Sequence, residues 1–355
     1  MTVRPDDFTL STVFEDEAFD NHEQIVFCRD EVSGLKAIIA LHNTRLGPAM
    51  GGTRMWKYAS SHDALTDVLR LSRGMTYKNA LAGIPFGGGK AVIFGDSKTD
   101  KSDALFEAFG RHVEGLAGRY ITAEDVGIST SDIEVMNRTT RFARGTEATG
   151  LGDPSPYTAL GVYHGIRAAV AARFGHADLA GMTFAVQGLG HVGFGVADLL
   201  HKAGGMLVVA DINDAAVKRA VDAFGAEVAS VDRIHAVACD VFVPCALGAV
   251  LNAETIPELK AKAVAGAANN QLAGIADGRA LSDRKILYTP DYVINAGGVI
   301  SIALGKPDQP DTEVVERTRR IETTLGTIFS EAAATGTQPE IIADRLAERI
   351  VAQAS

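Results

Sequence analysis

Gly188-Leu-Gly190-His-Val-Gly193 fits the pattern GxGxxG and lies between an apolar run, TFAVQ (183–187), and a helical pattern, VGFGVADLLHKAG (192–204). In that setting each glycine has a task. The first makes a tight turn, the second admits a pyrophosphate, and the third lets helix and strand pack closely, while the helix N-terminus offers free N–H groups to the phosphates. Asp211 ends the next apolar run, MLVVAD (206–211), where an acidic side chain binds the adenosine ribose hydroxyls. Its charge repels a 2′-phosphate and no arginine follows at Ile212 or Asn213, so the cofactor expected is NAD rather than NADP. The bland alternative is that the glycines only pack a helix on a strand and Asp211 only caps a turn. Glycines, context and acid together favour the dinucleotide.

Two lysines and a carboxylate stand at the edges of other apolar runs: Lys78 in RGMTYKNA, Lys90 in GIPFGGGKA and Asp125 in TAEDVG. The loop at 83–91 is not a nucleotide phosphate loop, because GxxxxGK[ST] needs Gly at 84 and Ser or Thr at 91, where Ile84 and Ala91 stand. A lysine on a Gly turn at the start of an apolar strand is partly desolvated, which disfavours its charged form. If Lys78 shares its pocket, like-charge repulsion moves one of the two toward general-base chemistry. Taken singly, each residue reads as a surface charge or a turn cap. Together they point to a site for a small anionic substrate.

The chain of 355 residues is long for one core, so two domains are expected. Hydrophobic residues make up 46% and charged residues 22%, the profile of a folded globular protein. Lys+Arg 34 against Asp+Glu 44 leaves a net charge of −10, which disfavours nucleic acid as a partner. No run approaches the ~18 apolar residues of a membrane span. The acidic start, MTVRPDDFTLSTVFEDE, lacks the layout of an export signal. Cys28, Cys239 and Cys245 are odd in number without a CxxC, so no disulfide framework or metal site is expected. A cytoplasmic protein follows.

The elements that must carry these residues alternate. LKAIIALH (35–42), KAVIF (90–94) and RYITAEDV (119–126) read as strands, residues 61–75 as a helix, and Ser102 caps a helix bearing Leu105, Phe109, Val113 and Leu116. GTEATGLGDPSPY (145–157) reads as a domain joint. Beyond it strands at 183–187, 206–211 and 240–246 alternate with helices, predicting a parallel, doubly wound Rossmann-type sheet. The expected fold is α/β: a substrate and oligomerisation domain over 1–148, an NAD domain over 149–325, a cleft between them, and C-terminal helices at 326–355 returning to the first domain.

LGPAMGGTRMW (46–56), LRLSRGMTYKNALAGIPFGGGKAVI (69–93), GRYITAEDVG (118–127), VQGLGHVG (186–193), CALGAVLN (245–252), AGAANNQL (265–272) and PDYVINAGGVI (290–300) resemble the Glu/Leu/Phe/Val amino-acid dehydrogenase family, its leucine-type members most of all. The resemblance runs from about 22 to 350 and implies reversible oxidative deamination of an L-2-amino acid to a 2-oxo acid and ammonium. Carried over, Lys78 binds the substrate α-carboxylate, Lys90 is the catalytic lysine and Asp125 shuttles the amino-group proton. Asn269 and Asn270 contact the nicotinamide or the substrate amine. Gly188, Leu189, Gly190, His191, Val192, Gly193, Phe194 and Ala246 surround NAD. Met50, Gly51, Ala123, Val299 and Ile302 line the substrate pocket.

Glutamate members resemble GPxKGG where this chain has Met50. An apolar side chain there strands a γ-carboxylate, so leucine, isoleucine or valine is expected, with phenylalanine or tryptophan as the alternative. Two departures bear on oligomer size and pocket width: SIALGKPDQPDTEV (301–314) lacks the acidic, aromatic run of leucine-type members, and no longer basic tail follows RLAERIVAQAS (345–355). A homo-oligomer is expected, not necessarily an octamer. The rivals are an oxidoreductase of another 2-substituted acid, told apart by ammonia dependence, and an NAD-binding regulatory protein, which would need only the Gly loop. His191 reads as a surface residue, Trp56 and Tyr58 as core or interface packing rather than ligand contacts, and Cys239 and Cys245 as buried small apolar residues.

Overall fold

The computed structural model describes residues 13–246 and 248–354. The start of the chain up to residue 12, and Leu247 within the 245–252 motif, lie outside the described residues. The chain divides into two compact units. One comprises residues up to 76 together with 85–146; the other comprises 77–84 and residues from 147 onward.

The first unit is built on a six-stranded mixed sheet of β1 (Gln24–Asp30), β2 (Leu35–Asn43), β3 (Ala49–Met50), β4 (Thr53–Trp56), β5 (Gly87–Phe94) and β6 (Tyr120–Ile121). Its order is β1-β2-β5-β3-β6, with β4 also alongside β5. β1, β2 and β5 are antiparallel neighbours, whereas β3 and β4 run parallel to β5. The helices are α1 (Ser61–Ala82), α2 (Asp103–Gly115) and α3 (Thr130–Met136). β2 is apolar almost throughout because both its faces are covered. Ile39 and Leu41 join Phe106, Phe109, Tyr120 and Ile133 on one side, and Ile38 and Ala40 join Leu65, Val68 and Leu69 on the other. Ser102 caps α2 as expected, its hydroxyl accepting from Leu105 N at 3.2 Å.

Two expectations change here. Gly87–Gly89 are strand, not a turn, and Lys90 is therefore mid-strand. The reason is contact: a Cβ at Gly88 would stand 2.1 Å from Thr76 N on α1, so glycine lets the helix lie directly on the strand. The strand expected over 119–126 is confined to Tyr120–Ile121, and the chain beyond turns at Asp125, whose carbonyl accepts from Ile128 N. Trp56, expected in core or interface packing, is 54% exposed in the single chain, which leaves the interface.

The second unit carries a parallel sheet of β7 (Thr183–Gln187), β8 (Met206–Ala210), β9 (Glu227–Val228), β10 (Val241–Pro244), β11 (Ala263–Val264) and β12 (Leu287–Tyr288). Its order, β12-β11-β10-β7-β8-β9, reverses direction between β7 and β10. The helices are α4 (Ser155–Phe174), α5 (His191–Lys202), α6 (Asp214–Phe224), α7 (Ile275–Asp283), α8 (Asp291–Ile294), α9 (Gly297–Leu304), α10 (Thr312–Thr335) and α11 (Pro339–Gln353). Ligands of open α/β sheets bind beyond the carboxyl ends of the strands at such a reversal.

The C-terminal helices, expected to return to the first domain, group with this second unit. α10 packs on α4 through Ile321 and Leu325, whose methyl carbons approach Gly161 and Gly165. The last turn of α1 also belongs here: Tyr77 Oη donates to Glu348 of α11 at 2.8 Å, and Arg317 of α10 donates to the Gly83 carbonyl.

Candidate active site

In the first unit β5 carries Lys90 and β4, parallel to it with Thr53 opposite Ala91, carries Arg54. The turn after β6 brings Asp125 to both. Gly52 makes that approach possible, since a Cβ there would lie 2.2 Å from the Glu124 carbonyl oxygen and 3.0 Å from Asp125 Cβ. Lys90 Nζ stands 3.0 Å from Asp125 Oδ2, and Arg54 Nε donates to that same oxygen at 3.0 Å. Arg54 Nη1 also donates to Asp67 Oδ2 at 3.1 Å, and Tyr58 Oη donates to that oxygen at 2.6 Å.

Lys90 is 6% exposed. Burial alone would raise the Asp125 carboxyl, but the charges of Lys90 and Arg54 and their hydrogen bonds hold it below the usual carboxylate range. Lys90 was expected to be desolvated and close to a second lysine. The burial is there; within its own unit the charged neighbour is a carboxylate. Met50, on β3 opposite Ile121 of β6, is 1% exposed, and Gly51 and Ala123 are buried beside it in sequence and sheet. The Gly51 carbonyl accepts from Tyr120 Oη at 2.7 Å.

In the second unit Lys78 Nζ donates to Asn295 Oδ1 at 2.6 Å. The other end of that amide donates to Asn269 Oδ1 at 2.6 Å and to the Ala267 carbonyl at 3.0 Å. Asn295 thus joins the lysine to the ANN segment. Beneath it Asp291 Oδ2 accepts from Gln271 N at 2.9 Å, and burial raises its carboxyl against the opposing effects of backbone N–H groups and Lys78. Asn270 is exposed, with a φ of 51°, and its carbonyl accepts from Ala249 N. Val299 and Ile302 lie one turn apart on α9, buried and half-buried.

The Gly loop joins β7 to α5. Gly188 takes a φ of +92° and donates its N–H to the Ala210 carbonyl at 2.8 Å. A Cβ at Gly193 would stand 1.9 Å from the Gly188 carbonyl oxygen, and one at Gly188 would stand 2.8 Å from Ala246 Cβ. Asp211 fastens the loop: Oδ2 accepts from Leu189 N at 2.5 Å and Oδ1 from Asn213 N at 2.8 Å. Leu189 is buried and Val192 half-buried, whereas the His191 side chain is 84% exposed, 3.7 Å from Asp153. Phe194 packs on the α6 side, its ring 5.0 Å from that of Phe224 and 3.9 Å from the Arg219 guanidinium.

Residues 22–142 match the dimerisation domain of the Glu/Leu/Phe/Val dehydrogenases, and 210–338 match the Glutamate/Leucine/Phenylalanine/Valine dehydrogenase domain. Leucine dehydrogenase of Bacillus cereus is 49% identical over 338 residues, 95% of this chain and 92% of that one. Phenylalanine dehydrogenase of Lysinibacillus sphaericus is 49% identical over 320 residues, 88% and 84% of the two chains. The crystal structure of L-tryptophan dehydrogenase from Nostoc punctiforme superposes with a TM-score of 0.85 at 43% identity, covering 94% of this chain and 97% of that one.

The chain belongs to the Glu/Leu/Phe/Val dehydrogenase family. It is an amino-acid dehydrogenase, and enzymes of this family use NAD or NADP. The Gly loop fits such a dinucleotide: Gly190 caps α5 without a side chain, and a Cβ built on it meets nothing within 4 Å, so the start of the helix is open on that side. Among the described residues no helix is long and apolar enough to cross a membrane.

In this dehydrogenase Lys90 and Asp125 meet directly, and Asn295 bridges Lys78 to the ANN segment. Arg54, Asp67, Asp291 and Asn295 take part without having been singled out from sequence. Arg54 and Asn295 both fall inside motifs that carry the family resemblance, TRMW and VINAGG; that placement was the available signal. Cys239 and Cys245 are half-buried rather than buried, and burial pushes each thiol up to about 12.

Proposed function

We propose that the enzyme catalyses reversible, NAD-dependent oxidative deamination of an apolar L-amino acid, with leucine, isoleucine and valine as its main substrates. The observation that carries this reading is the ion pair of buried Lys90 with half-buried Asp125 at 3.0 Å. Amino acid, NAD and water yield 2-oxo acid, ammonium, NADH and a proton. Lys78 holds the α-carboxylate by charge. Asp125 takes a proton from the substrate ammonium so that the nitrogen lone pair can form C=N as Cα is oxidised. NAD, when bound at the Gly loop, supplies the hydride acceptor. Lys90, in its amine form, removes a proton from the water that attacks the imine carbon, and Asp125 returns a proton to the departing nitrogen.

Asn295 orients Lys78 and, through Asn269, ties it to the segment read as contacting the nicotinamide. The preference for NAD is supported by Asp211, whose carboxylate already ends β8 and holds the loop, leaving a 2′-phosphate to meet a negative charge. The apolar substrate class is supported by buried Met50, an uncharged side chain that offers a glutamate γ-carboxylate no ionic partner of its own. In this reading the first unit carries oligomerisation, supported by its match to a dimerisation domain, and the second carries the dinucleotide.

The test is a panel of L-amino acids with NAD and with NADP, compared by kcat/KM, and the reverse reaction with and without ammonium. Branched aliphatic substrates with NAD are expected to lead. A lead for phenylalanine or tryptophan transfers the proposal to an aromatic substrate, and 2-oxo acid reduction without ammonium rejects deamination.

A further inference from the structure

We infer that Arg54 is a positioning residue for the proton transfers of Asp125, holding one carboxylate oxygen so that the other is left for the substrate nitrogen. The inference rests on the role proposed above for Asp125. Both cations bind the same oxygen, Oδ2: Lys90 Nζ at 3.0 Å and Arg54 Nε at 3.0 Å. Oδ1 makes no hydrogen bond among the described residues. A carboxylate gripped by one oxygen from two directions cannot rotate about its Cβ–Cγ bond without breaking both contacts, so the orientation of Oδ1 is set before substrate arrives.

Arg54 is itself braced. Nη1 donates to both oxygens of Asp67, at 3.1 and 3.4 Å, and Tyr58 donates to Asp67 Oδ2 at 2.6 Å. Burial, then the bond to Asp67, pushes the Tyr58 phenol above its usual range, so it remains a donor. The guanidinium serves two carboxylates from separate nitrogens, which an ammonium cannot reproduce with the same geometry. The sheet supplies the placement: β4 and β5 are parallel neighbours, so the residues bearing the two cations rise from adjacent strands.

The position of Arg54 also separates it from the reaction. It touches the carboxylate on the oxygen that Lys90 shares, and its remaining contacts run to Asp67 of α1. Nothing in this arrangement asks Arg54 to bind substrate. Its loss is expected to appear in kcat.

The experiment is a double-mutant cycle of Arg54→Gln and Asp125→Asn, with Arg54→Lys and Asp67→Asn alongside. Arg54→Gln is expected to lower kcat for reductive amination by about 10- to 100-fold, with KM for the 2-oxo acid within about threefold and NADH affinity unchanged. The acid limb of its kcat/KM profile should move up by about one pH unit, as one of two cations is lost from Asp125. Arg54→Lys should recover part of kcat. Asp67→Asn, which leaves every contact of Asp125 in place, should cost about threefold to tenfold and carries the test should Arg54→Gln not fold.

In the Asp125→Asn background, Arg54→Gln should change the residual rate by less than about threefold. A full kcat in Arg54→Gln, or a loss of the same size with and without Asp125, overturns the inference. Wild-type turnover in Asp125→Asn alone would instead reject the role of Asp125 in the proposed reaction.

Discussion

Replacing Lys90 by Met removes the ammonium while keeping most of the apolar stem. At 3.0 Å from Asp125, two unit charges in an effective dielectric near 20 attract by about 5 kcal/mol. That is an upper bound. Burying an ammonium costs several kcal/mol, which the variant recovers, and Asp125 keeps Arg54 at 3.0 Å, so no carboxylate is orphaned. A net loss of about 1–3 kcal/mol remains. Against a folding stability of about 5–15 kcal/mol the protein stays folded. Turnover should nevertheless fall by about 10²- to 10⁴-fold, the usual contribution of a positioned base. The two magnitudes separate chemistry from folding. Rates of NADH oxidation with the 2-oxo acid of leucine and ammonium measure the first, urea unfolding the second, and NADH fluorescence titration checks the second unit. A kcat within about threefold of wild type would refute the role of Lys90.

Lys78→Ala removes a charged donor from Asn295 and should raise KM for the 2-oxo acid by about 30- to 100-fold while changing kcat less, measured by steady-state kinetics. Gly193→Ala puts a Cβ 1.9 Å from the Gly188 carbonyl oxygen; NADH should bind at least about tenfold more weakly in fluorescence titrations, with far-ultraviolet circular dichroism retained. His42 is held down from an ordinary 6.5 to about 4, by burial first and then by His22, against the opposing charge of Asp20. Between those values the unfolded chain binds a proton that the folded one does not. Stability is therefore complete above 6.5 and declines as the pH falls toward 4, by roughly 3 kcal/mol. His42→Gln should flatten the dependence of Tm on pH across that interval, and an unchanged slope would locate the effect elsewhere.

The alternation of apolar runs and helical patterns, the glycine turn before α5 and the acid at the end of β8 were all legible in the sequence. Each rests on neighbours within a few residues: backbone geometry at Gly188, close packing at Gly193, a strand end at Asp211. The chemically able residues were legible too, as charged side chains inside apolar stretches. Their partners were not. Arg54 and Asp125 are 71 residues apart and Lys78 and Asn295 are 217 apart; strand order places Arg54 beside Lys90, and the approach of the end of α1 to the end of α8 joins Lys78 to Asn295. The same blindness applies to Gly87–Gly89, since glycine serves a sharp turn and a close-packed strand equally well, and only the helix lying on it distinguishes the two. Helical periodicity was legible over 61–75, but α1 runs on to Ala82 and so carries Lys78. Tertiary packing assigned its last turn, with Lys78, to a different unit from the rest, because Tyr77 and Gly83 find their hydrogen-bond partners on α10 and α11.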